Sequence, residues 1–106
     1  MALIDKAANH FTVIVTFTTT KENQSQALEL IWNYIETFLT KQNGCISSTL
    51  HCSFDGQSIT NYAQWETAEH FKAFSEKAKS HPDLPAILEF KPHPQFHRIY
   101  NSISKQ

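Results

Sequence analysis

Asn61 and Trp65 stand four residues apart in a β-prone run, Gln57-Ser-Ile-Thr-Asn-Tyr-Ala-Gln-Trp65. On a strand that spacing puts both side chains on one face, with Cα atoms ~13 Å apart. A primary amide and an indole each offer N–H donors. Donors so placed suit opposite ends of a flat polycyclic ligand. Asparagine is depleted in strands, and burying its amide without partners costs about 1–3 kcal/mol. Asn61 therefore either bonds a nearby backbone group or water, or turns its amide toward a cavity. Trp65 taken alone reads as an ordinary core residue.

The flanking elements decide where this pair points. Residues 10–19 alternate Phe11, Val13, Val15 and Phe17 with threonines, the period of a strand. From about 22 to 42, Ala27, Leu28, Ile31, Ile35, Phe38 and Leu39 keep the three-four spacing of an amphipathic helix. Thr19 or Thr20 can cap that helix, Glu22 suits its first turn, and Asn43-Gly44 ends it. Residues 45–54 and 57–65 flank Asp55-Gly56, a strong hairpin signal. Thr67 caps a second helix that runs to about Lys79, with Ala68, Phe71, Phe74 and Ala78 on one side. His81-Pro82 stops it, Asp83 to Leu88 can add a short turn, and a last strand covers about Gln95 to Ile103.

The order β-α-β-β-α-β predicts an α+β, ferredoxin-like domain over 10–103, preceded by a tail at 1–9. Two helices cover only one face of a four-stranded antiparallel sheet. Ile14 and Ile99 give the other face some apolar character, so sheet-to-sheet pairing in a homodimer is expected.

A two-residue loop fixes the hairpin register. Cys52 faces Ile59, Leu50 faces Asn61, Ser48 faces Ala63 and Ile46 faces Trp65, which makes one strongly apolar, helix-covered face. His51, a base with an ordinary pKa near ~6.5, then lies opposite Thr60 on the other face, and only a bulge would bring it inward. His70, at the start of the second helix, is a further candidate base.

Cys45 and Cys52 fall on opposite faces in this register. They lie ~23 Å apart by strand rise, far beyond disulfide reach, and read as free thiols. His93 and His97 are ~13 Å apart by the same measure, too far for one metal ion. With Gly44 and Gly56 the only glycines, no glycine-rich phosphate loop or nucleophile elbow can be built.

Composition narrows the field further. At 106 residues the chain has room for one core. Nine basic and ten acidic residues give a net charge of −1 and no basic footprint for nucleic acid. No apolar run approaches the ~20 residues that span a bilayer. The first nine residues lack the apolar stretch of an export signal, so no membrane partner and a cytoplasmic location are expected.

The stretch Asn61-Tyr-Ala-Gln-Trp-Glu66 follows Asp55-Gly56 and precedes a Thr-capped helix. It resembles the antibiotic biosynthesis monooxygenase family, and within it the cofactor-free anthrone oxygenases of aromatic polyketide pathways. Gly44, His51, Asp55, Gly56, Asn61, Trp65 and Glu66 match that pattern, most closely over residues 44–71. The resemblance implies a dimeric α+β barrel that oxidises a small aromatic substrate with dioxygen and uses neither metal nor flavin. It further implies catalytic roles for Asn61, Trp65 and His51, and a pocket walled by Phe71, Phe74 and Ile59.

Two positions depart from the family pattern. Phe71 stands where those oxygenases tend to carry a tyrosine, and Arg98, the only arginine, sits in the last strand. Two other readings of the same fold stay open. One is a non-catalytic dimeric module for a hydrophobic ligand; the other is a haem-binding or haem-degrading relative.

Overall fold

The structure, a computed structural model, describes residues 10–105; the expected tail at 1–9 lies outside them. Four strands and three helices follow one another as β1 (Phe11–Thr18), α1 (Gln24–Thr37), β2 (Cys45–Cys52), β3 (Ser58–Trp65), α2 (Ala68–Ala78), α3 (Leu84–Leu88) and β4 (His93–Arg98). The strands form one antiparallel sheet in the order β2-β3-β1-β4. This is the ferredoxin-like arrangement that the element order predicts.

Alternation turns Val13 and Phe17 of β1, and Ile59, Ala63 and Trp65 of β3, toward the helices. Ala27, Ile31 and Ile35 of α1 close over them from one stripe of the helix. Because β3 and β1 are the central strands, side chains of β3 sit at the middle of the core.

Helix α1 is shorter than its apolar spacing predicts. It gives way at Phe38 to a single 3-10 turn, Leu39–Lys41. Thr37 and Thr40 donate their hydroxyls to the carbonyls of Asn33 (2.6 Å) and Glu36 (3.1 Å), a back-bonding that competes with the helical ladder. At the other end, the Thr20 N–H donates to Asn23 Oδ1 at 2.8 Å, and the Asn23 N–H to Thr20 Oγ1 at 3.2 Å. Thr20 thus serves the turn before α1, in the reciprocal manner of a capping box. Thr67 caps α2 as expected, accepting the His70 N–H at 3.1 Å.

The hairpin register holds from Cys52↔Ile59 to Ser48↔Ala63, and then a bulge intervenes between Cys45 and Ser47. Cys45, rather than Ile46, is the partner of Trp65, and Ile46 is squeezed out to 42% exposure. The one-residue insertion returns Cys45 to the face of Cys52, instead of the opposite face expected for it. Both thiols are free.

The turn at Gly44 (φ +84°) takes a backbone shape that favours glycine, and its carbonyl accepts the Glu66 N–H at 2.8 Å. Strand β4 begins two residues earlier than expected and stops at Arg98, leaving 99–105 without regular structure. Pro94 pairs with Val15 inside it, which an edge strand tolerates because one N–H side needs no partner.

Candidate functional site: a cavity behind the third strand

A cavity of about 370 Å³ lies between the sheet and the helices, within the usual size of small-molecule sites. The sheet supplies Asn61 and Trp65 to its wall, α2 supplies Phe71 and Phe74, and α1 supplies Tyr34. Ser75 is the remaining polar lining residue, and the rest of the lining is apolar. Among the described residues, the lining holds no carboxylate, lysine, arginine or histidine.

Asn61 is 5% exposed, at the centre of β3 between Val15 and Leu50. Its Oδ1 accepts the Ser48 hydroxyl at 2.7 Å. Ser48 pairs with Ala63, so it reaches Asn61 diagonally across the hairpin. With the carbonyl end held, the amide keeps its two N–H donors for whatever occupies the cavity.

Trp65 is fully buried, and its Nε1–H has no acceptor among the described residues. The indole is fixed by aromatic packing, 5.2 Å from the Phe74 ring and 5.7 Å edge-on from Phe71. Phe71 continues the cluster outward to Phe11 (5.9 Å) and Phe96 (5.5 Å).

Tyr34 is buried on the helical wall, against Phe38 and His81. Its hydroxyl makes no hydrogen bond with the described residues, and burial alone pushes its pKa up to about 12. The phenol therefore stays protonated at any physiological pH and is a donor, not a base.

Of the residues that the sequence singles out, Asn61, Trp65, Phe71 and Phe74 come together. Ile59 does not line the cavity. It is fully buried on the same face, but farther along β3, between Phe17 and Cys52. His51 is also a correction. It is exposed on the opposite face, where its Nδ1–H donates to the Thr60 carbonyl at 3.2 Å. The bulge that could have turned it inward sits at Cys45–Ser47, too early in the strand to affect it.

His70 lies outside the cavity as well. Its Nδ1 is 2.7 Å from the Thr67 hydroxyl, and its Nε2 is 4.0 Å from Glu66 Oε2. Among the described residues, no group of three or more His, Cys, Asp or Glu side chains converges as a metal site. No described helix is long and apolar enough to cross a membrane.

Sequence reasoning missed Tyr34 and Ser48. Tyr34 sits three residues after Ile31, inside the apolar stripe of α1, and that placement was the available signal. Ser48 was placed on the correct face, but its diagonal reach to Asn61 has no trace in the pairing pattern.

Comparison with known proteins bears on this geometry. The tetracenomycin-F1 monooxygenase of Streptomyces glaucescens is 27% identical over 103 residues, covering 96% of this chain and 92% of that protein. A monooxygenase from the ActVA-Orf6 gene of Streptomyces coelicolor, solved with nanaomycin D, superposes with a TM-score of 0.82 at 23% identity. That match covers 99% of this chain and all of the other. SnoaB, a cofactor-independent oxygenase from Streptomyces nogalater, gives 0.74 at 16% identity, covering 92% of this chain and 99% of its own. Likeness to these two structures establishes the fold. The model of the family described as antibiotic biosynthesis monooxygenase matches residues 10–82, well over half of the chain, and the protein belongs to that family.

Proposed function

We propose that the protein is a cofactor-independent monooxygenase that oxidises a small aromatic substrate, anthrone- or quinol-like, with dioxygen in the cavity behind β3. The observation that carries this reading is the state of its two sheet-borne donors. Asn61 is held by Ser48 through its carbonyl, and the buried Trp65 Nε1–H has no acceptor among the described residues. Donors fixed in advance in an apolar site stabilise an oxygen that gains negative charge as a reaction proceeds.

An anthrone supplies the electrons itself. Loss of a proton from its CH₂ gives an enolate whose carbon adds dioxygen. The resulting hydroperoxide loses water, so CH₂ and O₂ become C=O and H₂O. In this scheme Asn61 and Trp65 hold the enolate oxygen, while Phe71 and Phe74 wall the site and keep bulk water away. Family membership and the named activity of the 27% identical relative support it.

The protein acts as a homodimer through the sheet face away from the helices. Ile14 and Tyr62 are only half-buried there, and they line a groove with Tyr100, which is 94% exposed.

A second reading has its own support. With no carboxylate or imidazole among the described lining residues, the cavity would equally serve a module that binds a hydrophobic ligand without converting it. Oxygen uptake with an anthrone separates the two. Turnover by the wild type that drops by about 10²–10³ in kcat in Asn61→Ala is expected for the enzyme. Absence of wild-type turnover would leave only the binding module, and equal turnover by Asn61→Ala would remove the catalytic role of that residue.

A further inference from the structure

Three elements bring polar side chains to the cavity: β3 with Asn61 and Trp65, α1 with Tyr34, and α2 with Ser75. The sheet pair can only donate, because the Asn61 carbonyl is occupied and an indole has no acceptor. Tyr34 stands on the helical wall across from that pair. It is the only titratable side chain among the described residues of the lining. Its hydroxyl has no partner among the described residues, although the ring is buried against Phe38, Phe74 and His81.

Aromatic packing on this scale could be supplied by phenylalanine, as it is at Phe38, Phe71 and Phe74. The Tyr34 hydroxyl adds a polar group to this otherwise aromatic wall and has no partner among the described residues, so its donor is open to a ligand in the cavity. We propose that Tyr34 is a binding residue whose hydroxyl donates to a second ligand oxygen, opposite the oxygen held by Asn61 and Trp65. The cavity would then take flat polycyclic ketones and quinones with oxygens on opposite edges, in preference to equally flat hydrocarbons.

Because burial keeps the phenol protonated up to about pH 12, the donor is available throughout the working range. The hydroxyl carries no charge, and no charged side chain among the described residues lines the wall around it, so the preference does not depend on salt.

This role rests on the cavity being the ligand site proposed above, and it is tested by binding, so that its outcome is separate from turnover. Wild type and Tyr34→Phe are titrated with 9,10-anthraquinone and with anthracene, following tryptophan fluorescence. The expected result is about tenfold weaker quinone binding in Tyr34→Phe, the size of one lost hydrogen bond, with anthracene unchanged. Equal quinone affinity in the two proteins would overturn the assignment. So would a parallel loss for both ligands, which would mean that the ring's packing matters and its hydroxyl does not. A wild type that binds neither ligand also overturns it, whereas oxygen uptake with an anthrone judges the enzymatic reading by itself.

Discussion

A buried N–H that lacks an acceptor costs a folded protein about 1–3 kcal/mol, and Trp65 carries one. If that donor is kept for a ligand, removing it should separate stability from function. Trp65→Phe retains an aromatic ring against Phe71 and Phe74 but deletes the N–H, at the expense of some packing volume. Its unfolding free energy in urea should stay within about 1 kcal/mol of wild type, since relief of the orphan donor offsets lost contacts. Oxygen uptake with an anthrone should fall by at least tenfold in the same variant. A large stability loss with unchanged turnover would return Trp65 to the plain core role that its type alone suggests. Ser48 gives a complementary test. Ser48→Ala frees the Asn61 amide to rotate, so kcat should drop about tenfold while KM moves little, and Ser48→Thr, which keeps the hydroxyl, should restore it. Equal kcat in Ser48→Ala and wild type would mean that Asn61 needs no such hold. At this scale Asn61 and Trp65 were readable because period two fixes which side chains share a face. Tyr34 was not, since a tyrosine in a helical stripe has the same spacing as a core residue and its hydroxyl leaves no periodic mark.

The elements that carry these residues depend on a few local contacts, and their boundaries were harder to read than their order. Order follows from apolar period and turn residues, both of which are local. The bulge at Cys45–Ser47 is not local, because it comes from how β2 must bend to meet Trp65, and Ile46 gives no hint of it. Gly44 lies beside this bulge at φ +84°, and a Cβ there would run into the His70 ring. Gly44→Ala should therefore cost about 2 kcal/mol or more, from strain and from displacing the start of α2. Chemical denaturation measures it, and a loss below a few tenths of a kcal/mol would show that the turn relaxes freely. The Asp55 loop makes a pH-dependent contribution. The Gln57 N–H (2.9 Å) and the Ser53 hydroxyl (2.7 Å) hold the Asp55 carboxyl below the usual carboxylate range. A folded pKa below the unfolded value of about 3.9 adds stability that is fully present above it and is lost as pH falls through the folded value. Asp55→Asn should thus be less stable than wild type at pH 6, with the gap closing below about pH 4. A gap that is constant with pH would place the effect in side-chain geometry instead of charge.

For the whole molecule, the two faces of the sheet have different tasks. One is closed by α1, α2 and α3 and holds the cavity, while the other carries no helix among the described residues. On that second face Thr12, Ile14 and Tyr62 form a shallow groove with Ile99, Tyr100 and Asn101. A sheet face that is partly apolar and open is better covered by a second copy than left to solvent. The open face was legible from the sequence because two helices cannot cover both sides of four strands, but the part played by residues 99–101 was hidden by the expectation that β4 continues to Ile103. Wild type should sediment at twice the chain mass at micromolar concentration. Ile14→Arg places a charge at the centre of the face, where an unpaired buried cation is strongly disfavoured, and should sediment as a monomer. Because Ile14 points away from the cavity, that monomer should still bind 9,10-anthraquinone to within a few-fold of the wild-type affinity. Wild type that sediments as a monomer would sink the homodimer. A monomeric Ile14→Arg that has lost the quinone would mean that the second copy, and not one sheet with its helices, gives the cavity its shape.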